Sequence, residues 1–230
     1  EALGKDRVLV LADQARTERY RKNALFFNRE PCDFNYTDAA TVTEPVDLLL
    51  FAVKFGGLED AMETCRHLVG PETTLVSVLN GISSEQVLSE MFDPDQIVWT
   101  VAQYMSAVKD GNHVHVDPLG ELAIGVPAGH GDRHLRRLTR FFDSIQFPYS
   151  LPEDIRVHMW SKLLCNTGCN QACMVFECGY GGLQPGGRGR ETMLGAMREV
   201  AAVGKAEGIP LSEKDVQSWV HIIDGFPADG

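Results

Sequence analysis

The chain has 230 residues, of which 44% are hydrophobic and 23% charged, and its formal net charge is -11. This is the composition of an ordinary globular protein, with enough apolar residues for one large domain or two small ones. The acidic balance, without a dense Lys/Arg cluster, excludes a general nucleic-acid binder. No apolar run reaches the ~20 residues of a membrane span and no signal peptide is recognisable. We therefore expect no membrane partner and a cytoplasmic location.

The chain up to about residue 150 alternates strands and helices. Apolar runs predict buried strands at residues 7–12, 47–54 and 73–79, and a further strand is predicted at residues 97–105. Helices are predicted at residues 14–22, 58–68 and 132–145, and residues 83–85 are predicted to open a further helix with a capping residue. Residues 114–116 and 121–124 are predicted to pair as antiparallel strands around the turn between them. This order of elements predicts an α/β fold with a parallel sheet and right-handed crossovers.

The remaining sequence is predicted to be helical. Its helices are expected at residues 152–177, 190–208 and 212–224, and a Gly-rich loop at 179–189 separates the first two. The predicted organisation is therefore an α/β domain, residues 1–150, followed by an all-helical domain, residues 151–230.

The first of these helices carries a polar stripe on an apolar background. Lys162, Asn166 and Asn170 are spaced four residues apart, so they share one helix face. A solvated face normally carries Glu, Lys and Arg, whereas Asn is a poor helix former. A cation and two amides on one face can bind a small, oxygen-rich molecule. The alternatives are an ordinary solvated face, or a lysine paired with a carboxylate elsewhere.

Polar residues also follow three of the predicted strands. Asp13 follows the first predicted strand, Lys54 ends the second, and the Asn80-Gly81 pair comes at the end of the third. Ligands of open parallel sheets bind beyond the carboxyl ends of the strands, so these side chains predict a binding edge. Ordinary turn chemistry is the alternative for each of them taken alone.

Six cysteines lie at positions 32, 65, 165, 169, 173 and 178, and three of them repeat every four residues. This repeat allows a metal or cluster site as one hypothesis. Such sites normally use close CxxC pairs on loops, whereas cysteines within an apolar helix are usually small buried residues. We therefore predict no metal and free thiols, as in a reducing cytoplasm.

Four motifs, in this order, resemble the ketopantoate reductase (2-dehydropantoate 2-reductase) family. They are DLLLFAVK at 47–54, LNGI at 79–82, GxLxIG at 120–125 and WxKLxxNxxxN at 160–170. The resemblance implies a Rossmann-type domain, a helical C-terminal domain and an active site between them. It also implies NADPH-dependent reduction of the ketone of 2-dehydropantoate to pantoate, in pantothenate and coenzyme A biosynthesis.

The same resemblance implies roles for the polar residues. Lys162 would be the general acid that protonates the developing alkoxide, which suits the compact charge of an ammonium. Asn166 and Asn170 would hold the hydroxyl and carboxylate oxygens of a small 2-oxo acid. Asn80 would lie where substrate and cofactor meet. Members of the family also associate through their helical domains, so a homodimer is a candidate state.

The residues implied in cofactor binding are Lys54, Ala107, Asn80, Asp13 and Arg16. NADP(H) is the expected cofactor, yet an acidic residue such as Asp13 after this strand more often binds the ribose hydroxyls of NAD(H). Arg16 could still bind a 2′-phosphate, so NAD(H) stays as the alternative.

The resemblance further implies segments beyond these 230 residues. They are a GxGxxG turn on the N-terminal side and, on the C-terminal side, a serine for substrate and a glutamate for cofactor. Both domains are therefore expected to be incomplete, and the chain alone is expected to bind NADPH poorly. The competing hypotheses are a related hydroxyacid dehydrogenase acting on another 2-oxo acid and a non-catalytic ligand-binding relative. Tyr180, in the loop after the helix, favours the first of these two.

Overall fold

The computed structural model of the protein describes residues 3–229 and separates into two compact units. The α/β unit contains the residues up to Leu79 together with Ser83–Pro152. The helical unit contains Asn80–Ile82 together with the residues from Glu153 onward. Within the described range, no helix is both long and apolar enough to cross a lipid bilayer.

The α/β unit contains strands and helices in alternation over much of its length. Its strands are β1 (Leu9–Ala12), β2 (Leu25–Phe27), β3 (Glu30–Cys32), β4 (Asn35–Asp38), β5 (Leu48–Phe51), β6 (Thr74–Ser77), β7 (Ile97–Asp110), β8 (His113–Gly125) and β9 (Tyr149–Ser150). Its helices are α1 (Gln14–Lys22), α2 (Leu58–Cys65), α3 (Ser84–Ser89) and α4 (Arg133–Ser144). The helical unit consists of α5 (Ile155–Phe176), α6 (Arg190–Ala206) and α7 (Glu213–Asp224) with their connections.

The main sheet has the strand order β3-β2-β8-β7-β6-β5, with β9 beside β8. Strands β5, β6 and β7 are mutually parallel, as the apolar runs predicted, whereas β7 and β8 are antiparallel. Only Gly111 and Asn112 separate β7 from β8, and a two-residue connection can join antiparallel strands but not parallel ones. The predicted α/β fold is confirmed, with a mixed rather than a wholly parallel sheet.

The prediction of an antiparallel pair formed by residues 114–116 and 121–124 is wrong. Both segments belong to the single strand β8, whose antiparallel partner is β7. The Pro and Gly between them imitate a turn signal. Gly120 instead adopts φ 72 beside β7, where a Cβ atom would lie 2.3 Å from the Gln103 carbonyl oxygen. The glycine therefore permits a close strand contact at the register shift between Met105 and Ala107.

The predicted start of α3 is confirmed, but its predicted cap is not. Ser83 occupies the N-cap position, yet its side chain forms no capping hydrogen bond. The neighbouring Ser84 hydroxyl is buried and donates to the Glu85 carboxylate instead. The serine pair therefore forms an internal contact rather than a capping box.

Helices cover both faces of the parallel strands. Because successive strand residues point to opposite faces, Leu75 and Ile97 pack with α2 and α3, whereas Val76 and Val98 pack with α4. Two separate apolar clusters result, one on each side of the sheet. This three-layer arrangement leaves the strand ends as the polar edge of the unit.

The helical unit is built on a close contact between α5 and α6. Gly168 is buried in the middle of α5, and a Cβ atom there would lie 2.5 Å from Met197 Cγ and 3.2 Å from the Met193 carbonyl oxygen. Met193 and Met197 are themselves fully buried. The missing side chain therefore lets the two helices approach and seal the core of the unit.

We expect Gly168→Ala to lower the free energy of unfolding by about 1–3 kcal/mol, because the added methyl group overpacks the α5–α6 contact. Gly195→Ala is the matched control, since nothing lies within 4 Å of a Cβ atom at Gly195 in α6. Alanine should stabilise that helix by about 0.5–1 kcal/mol. Urea denaturation of both variants checks this, and equal stability of the two would contradict the packing argument.

Candidate functional site

The Lys–Asn–Asn stripe (Lys162, Asn166 and Asn170) lies on the side of α5 that faces away from the core of the helical unit. The buried row of the helix is Leu164, Gly168 and Ala172. The stripe is offset from this row by two residues, or about 200° around the helix. Lys162 and Asn166 are half-buried and Asn170 is exposed. The α5–α6 contact thus determines the direction in which the stripe points.

The ends of α5 are well defined. The Asp154 carboxylate accepts a hydrogen bond of 2.8 Å from the Arg156 amide and one of 3.3 Å from the Val157 amide, a regular N-cap. At the other end Glu177 adopts φ 47, the left-handed conformation that terminates helices. The 22 residues between them form one uninterrupted helix, so residues four apart, such as those of the stripe, stay on the same face along its length.

Two residues immediately before Lys162 attach this part of α5 to the other helices. A Cβ atom on Gly204 of α6 would lie 3.1 Å from the Trp160 ring, so the indole packs directly on that helix. The indole nitrogen of Trp219, in α7, donates to the Ser161 hydroxyl at 2.9 Å. The Trp-Ser pair of the motif therefore fixes the backbone from which Lys162 projects.

The Lys162 ammonium has no hydrogen bond and no ion pair with any residue between positions 3 and 229. The alternative hypothesis of a lysine held by a carboxylate therefore finds no support in this part of the chain. Instead its charge acts on the neighbouring thiols. The pKa of Cys165 is lowered by a hydrogen bond with the Cys169 thiol and, more weakly, by Lys162, while burial opposes both effects.

Asn80 is close to the stripe. The side-chain amide of Asn166 donates to the Asn80 carboxamide oxygen at 3.5 Å, and both residues belong to the helical unit. The structure thus brings together two of the residues that the sequence predicted to bind substrate. The contact is long for a hydrogen bond, so each amide keeps capacity for another partner.

The cysteines of α5 belong largely to the core. Cys165, Cys169 and Cys173 lie beside the buried row, and Cys169 packs fully inside the apolar cluster of the unit. Among residues 3–229, no group of three or more His, Cys, Asp or Glu side chains is placed to hold a metal ion. The spacing of four residues between these cysteines therefore reflects helix packing in the part of the chain that the structure describes.

Lys54 lies beyond the end of β5 and Ala107 lies on β7, and β6 is the strand between these two. Lys54 follows β5 and precedes a short 3-10 helix whose last amide, that of Gly57, donates to the Lys54 carbonyl oxygen at 2.8 Å. Its ammonium is exposed and has no ion-pair partner within the described residues. Ala107 is exposed on β7, opposite Val116 and directly after the register shift.

Asp13 and Arg16 lie at the start of α1. The Asp13 carboxylate accepts a hydrogen bond of 2.7 Å from the Arg16 amide as the N-cap of the helix, and Arg16 Nε lies 3.4 Å from its second oxygen. The strand before them, β1, pairs with β4 and with no strand of the main sheet in the described range. The expectation of one common edge is therefore met by the strands before Lys54 and Asn80, and not by the strand before Asp13.

A residue missed by the sequence analysis is Glu85, in the first turn of α3. Its side chain is only 1% exposed, and its Oε1 atom has no hydrogen-bond partner among residues 3–229. Burial raises the pKa of this carboxyl to about 7, although hydrogen bonds from the backbone and from Ser84 oppose the rise. A glutamate beside two serines at a helix start is typical of a cap, so no sequence signal distinguished it.

With this geometry established, comparison with known proteins identifies the class. The chain combines a Rossmann-like α/β unit with a helical unit whose first helix carries a lysine and two asparagines. The model of the family ketopantoate reductase PanE/ApbA matches residues 1–129, and the model of its C-terminal region matches residues 154–228. The chain belongs to the ketopantoate reductase PanE/ApbA family, which confirms the resemblance of the four motifs.

Known proteins similar to this chain include curated relatives and solved structures. A 2-dehydropantoate 2-reductase of Streptococcus pyogenes serotype M1 is 21% identical over 178 residues, which are 77% of this chain and 58% of that relative. The solved 2-dehydropantoate 2-reductase from Geobacter metallireducens GS-15 has a TM-score of 0.80 at 20% identity, over 96% of this chain and 75% of that chain.

A D-mandelate dehydrogenase solved with NADH and anilino(oxo)acetate has a TM-score of 0.79 at 17% identity, over 97% of this chain and 74% of that one. Likeness at this level of identity shows the shared fold. The chain spans 58% of the length of the streptococcal relatives that it matches.

The buried carboxyl of Glu85 makes stability depend on pH. Because its pKa rises from 4.5 to about 7 on folding, the folded state holds a proton that the unfolded state loses. Stability should therefore fall as the pH rises from about 4.5 to 7, by roughly 3 kcal/mol at most. In Glu85→Gln this decrease should disappear.

Glu90→Gln, at an exposed position after α3, is the control and should keep the decrease. Urea denaturation between pH 4.5 and 8 measures it. If wild type and Glu85→Gln showed the same slope of unfolding free energy against pH, the carboxyl would not be the source.

Proposed function

We propose that the protein carrying this chain is an NADPH-dependent 2-dehydropantoate 2-reductase, which converts the ketone of 2-dehydropantoate to the hydroxyl of pantoate in pantothenate and coenzyme A biosynthesis. The observation that supports this most is the Lys–Asn–Asn stripe. It points away from the core of its unit, its lysine lacks a partner in residues 3–229, and Asn80 lies against Asn166. Membership of the ketopantoate reductase family gives these side chains their assignment.

Lys162 acts as the general acid. When the ketone carbon is reduced, negative charge develops on its oxygen, and a nearby ammonium stabilises that charge and donates the proton. Lysine suits this role because its ammonium is compact and half-buried, without a competing carboxylate in the described residues. The neutral amine then recovers its proton from solvent. The nicotinamide supplies the hydride when it is bound.

Asn166, Asn170 and Asn80 bind and orient the substrate. Each carboxamide carries both donors and an acceptor, so together they can bind the carboxylate and the hydroxyl of a 2-oxo acid. The contact of 3.5 Å between Asn80 and Asn166 places the two amides side by side, where both can orient one substrate. Such orientation lowers the barrier because the reacting ketone is held close to the Lys162 ammonium.

Several residues of the α/β unit suit NADP(H). The exposed ammonium of Lys54, which has no ion-pair partner among residues 3–229, suits a phosphate or ribose oxygen of the cofactor, and the small side chain of Ala107 lets a ligand approach the backbone. Arg16 offers a guanidinium for a 2′-phosphate, while Asp13 offers a carboxylate for ribose hydroxyls. Since Arg16 lies beside the Asp13 carboxylate and offsets its charge, we favour NADP(H), with NAD(H) as the alternative.

A second candidate is reduction of another 2-oxo acid, of the aromatic kind. The fold is similar to that of a D-mandelate dehydrogenase solved with NADH, at a TM-score of 0.79. In the loop after α5, the Tyr180 ring lies 4.7 Å from that of Phe226, so this loop carries an aromatic pair. The ratio of kcat/KM for 2-dehydropantoate and for benzoylformate decides between the two substrates.

A homodimer is the proposed assembly. The solved ketopantoate reductase from Staphylococcus aureus is described as dimeric, and its fold matches this chain with a TM-score of 0.74. Sedimentation of the complete protein measures the state directly.

Replacing Lys162 by alanine in the complete protein should reduce kcat about 100- to 10,000-fold, the usual contribution of a positioned general acid. KM for 2-dehydropantoate should change much less, because the asparagines still bind it. Lys205→Ala, an exposed lysine near the end of α6, is the matched control and should keep wild-type kcat. A Lys162→Ala variant with unchanged turnover would rule out the general-acid role.

Replacing Arg16 by alanine should reduce kcat/KM for NADPH about tenfold and leave that for NADH nearly unchanged, because the 2′-phosphate loses one charge-assisted hydrogen bond. Lys22→Ala, at the other end of α1, controls for loss of a positive charge from the same helix. Steady-state kinetics with both cofactors checks the ratio. Equal losses with NADPH and NADH would exclude Arg16 as the selectivity residue.

A further inference from the structure

A chain of buried hydrogen bonds connects α3 with the end of β6, and we call it the Glu85 relay. The Leu79 amide donates to the Ser77 hydroxyl at 3.3 Å, which donates to the Ser84 hydroxyl at 2.8 Å. Ser84 in turn donates to the Glu85 carboxylate at 2.9 Å. Ser77, Ser84 and Glu85 are 0%, 3% and 1% exposed, so water does not compete with the two bonds among them, and the bond from the Leu79 amide is part-buried.

The carboxylate at the end of the relay sets its direction. A hydroxyl has a single proton, and the Ser84 hydroxyl donates its proton to Glu85 Oε2, which can accept in either protonation state of the carboxyl group. Ser84 therefore directs its proton to Glu85, Ser77 directs its proton to Ser84, and the lone pairs of Ser77 stay available for the Leu79 amide. Without a terminal acceptor both hydroxyls could turn, and the Leu79 amide would lose its defined partner.

This glutamate is costly for the fold. Burial raises the pKa of Glu85 to about 7, and one carboxyl oxygen lacks a hydrogen-bond partner among residues 3–229. An apolar residue of similar size would normally pack a core at lower cost than a buried ionisable group. The position of the carboxyl thus calls for a role other than stabilisation of the α/β unit.

The relay ends one residue before Asn80. Leu79, whose amide the relay holds, is bonded directly to Asn80, and Gly81 follows with φ 110. The carboxamide of Asn80 in turn contacts Asn166 of the Lys–Asn–Asn stripe. Any rotation of the backbone at Leu79 would therefore displace the Asn80 side chain.

We propose that Glu85 is a positioning residue of the reductase site: through Ser84 and Ser77 it fixes the backbone at Leu79 and so directs the carboxamide of Asn80 at substrate and cofactor. The catalytic part of this inference rests on the proposed function. The structural part, that Glu85 and Ser84 determine the conformation at Leu79 and Asn80, does not.

Kinetics of the complete protein test the catalytic part. Ser84→Ala and Glu85→Ala should each reduce kcat about 10- to 100-fold, since a displacement near 1 Å at a reacting site costs that much. Ser84→Thr keeps the hydroxyl and Glu85→Gln keeps an acceptor, so both should retain kcat within about threefold of wild type. Ser83→Ala, at the exposed neighbouring serine, is the control and should be unchanged.

A purely structural role gives a different result. It would lower the melting temperature in Ser84→Ala while the folded enzyme kept wild-type kcat, and that result would overturn the proposal. If Glu85→Ala does not fold, Ser84→Ala carries the test, because it removes one hydroxyl and leaves the volume of the site nearly unchanged.

Backbone amide NMR tests the structural part without any activity. In ¹⁵N-labelled protein, Ser84→Ala should shift the amide resonances of Leu79 and Asn80, whereas Ser83→Ala should leave both in place. Unshifted Leu79 and Asn80 resonances in Ser84→Ala would exclude the relay whatever the kinetics show. If the wild-type protein does not reduce 2-dehydropantoate but Ser84→Ala shows these shifts, the proposed function is refuted and the relay is supported.

Discussion

The close approach of α5 and α6 at Gly168 is the constraint on which the candidate site depends. With no side chain at this position, α6 lies against the middle of α5, and the row of Leu164 and Ala172 on either side of the glycine becomes the buried face. Since a helix has a fixed angular period, the choice of a buried face also determines every other face. Lys162, Asn166 and Asn170 are thereby placed away from the core, and the attachment of Trp160 and Ser161 to α6 and α7 prevents α5 from rotating about its axis.

The strongest periodic signals allowed the main elements and the stripe to be predicted from sequence. The runs around Leu49, Leu75 and Val98 are mostly apolar, which is typical of strands inside a parallel sheet, and all three are strands. Lys162, Asn166 and Asn170 are four residues apart, so a regular helix is enough to place their side chains on one face. Both inferences rest on local geometry, which a sequence expresses directly.

Features that depend on long-range partners were missed. The strands β2, β3 and β4 have three or four residues each, and Pro31 within β3 is a weak strand former, so no periodicity marks them. Gly120 resembled a turn residue in the sequence. A glycine is needed there because the Gln103 carbonyl oxygen, on another strand, leaves no room for a side chain. Glu85 looked like half of a helix cap because its burial comes from packing of α3 on the sheet, which residues 83–85 do not reveal.

The segment between β6 and α3 has its length set at both ends. Ser77 and Ser84 are joined by a hydrogen bond inside the α/β unit, and Asn80, between them, groups with the helical unit and contacts Asn166. The six intervening residues therefore form a loop that is closed by the serine contact, and one of its residues, Asn80, has a contact of its own. An inserted or deleted residue would break either the serine contact or the asparagine contact, whereas a change of side chain at Ile82 or Ser83 would leave both in place. We therefore expect related sequences to differ in this loop by substitution and to keep its length.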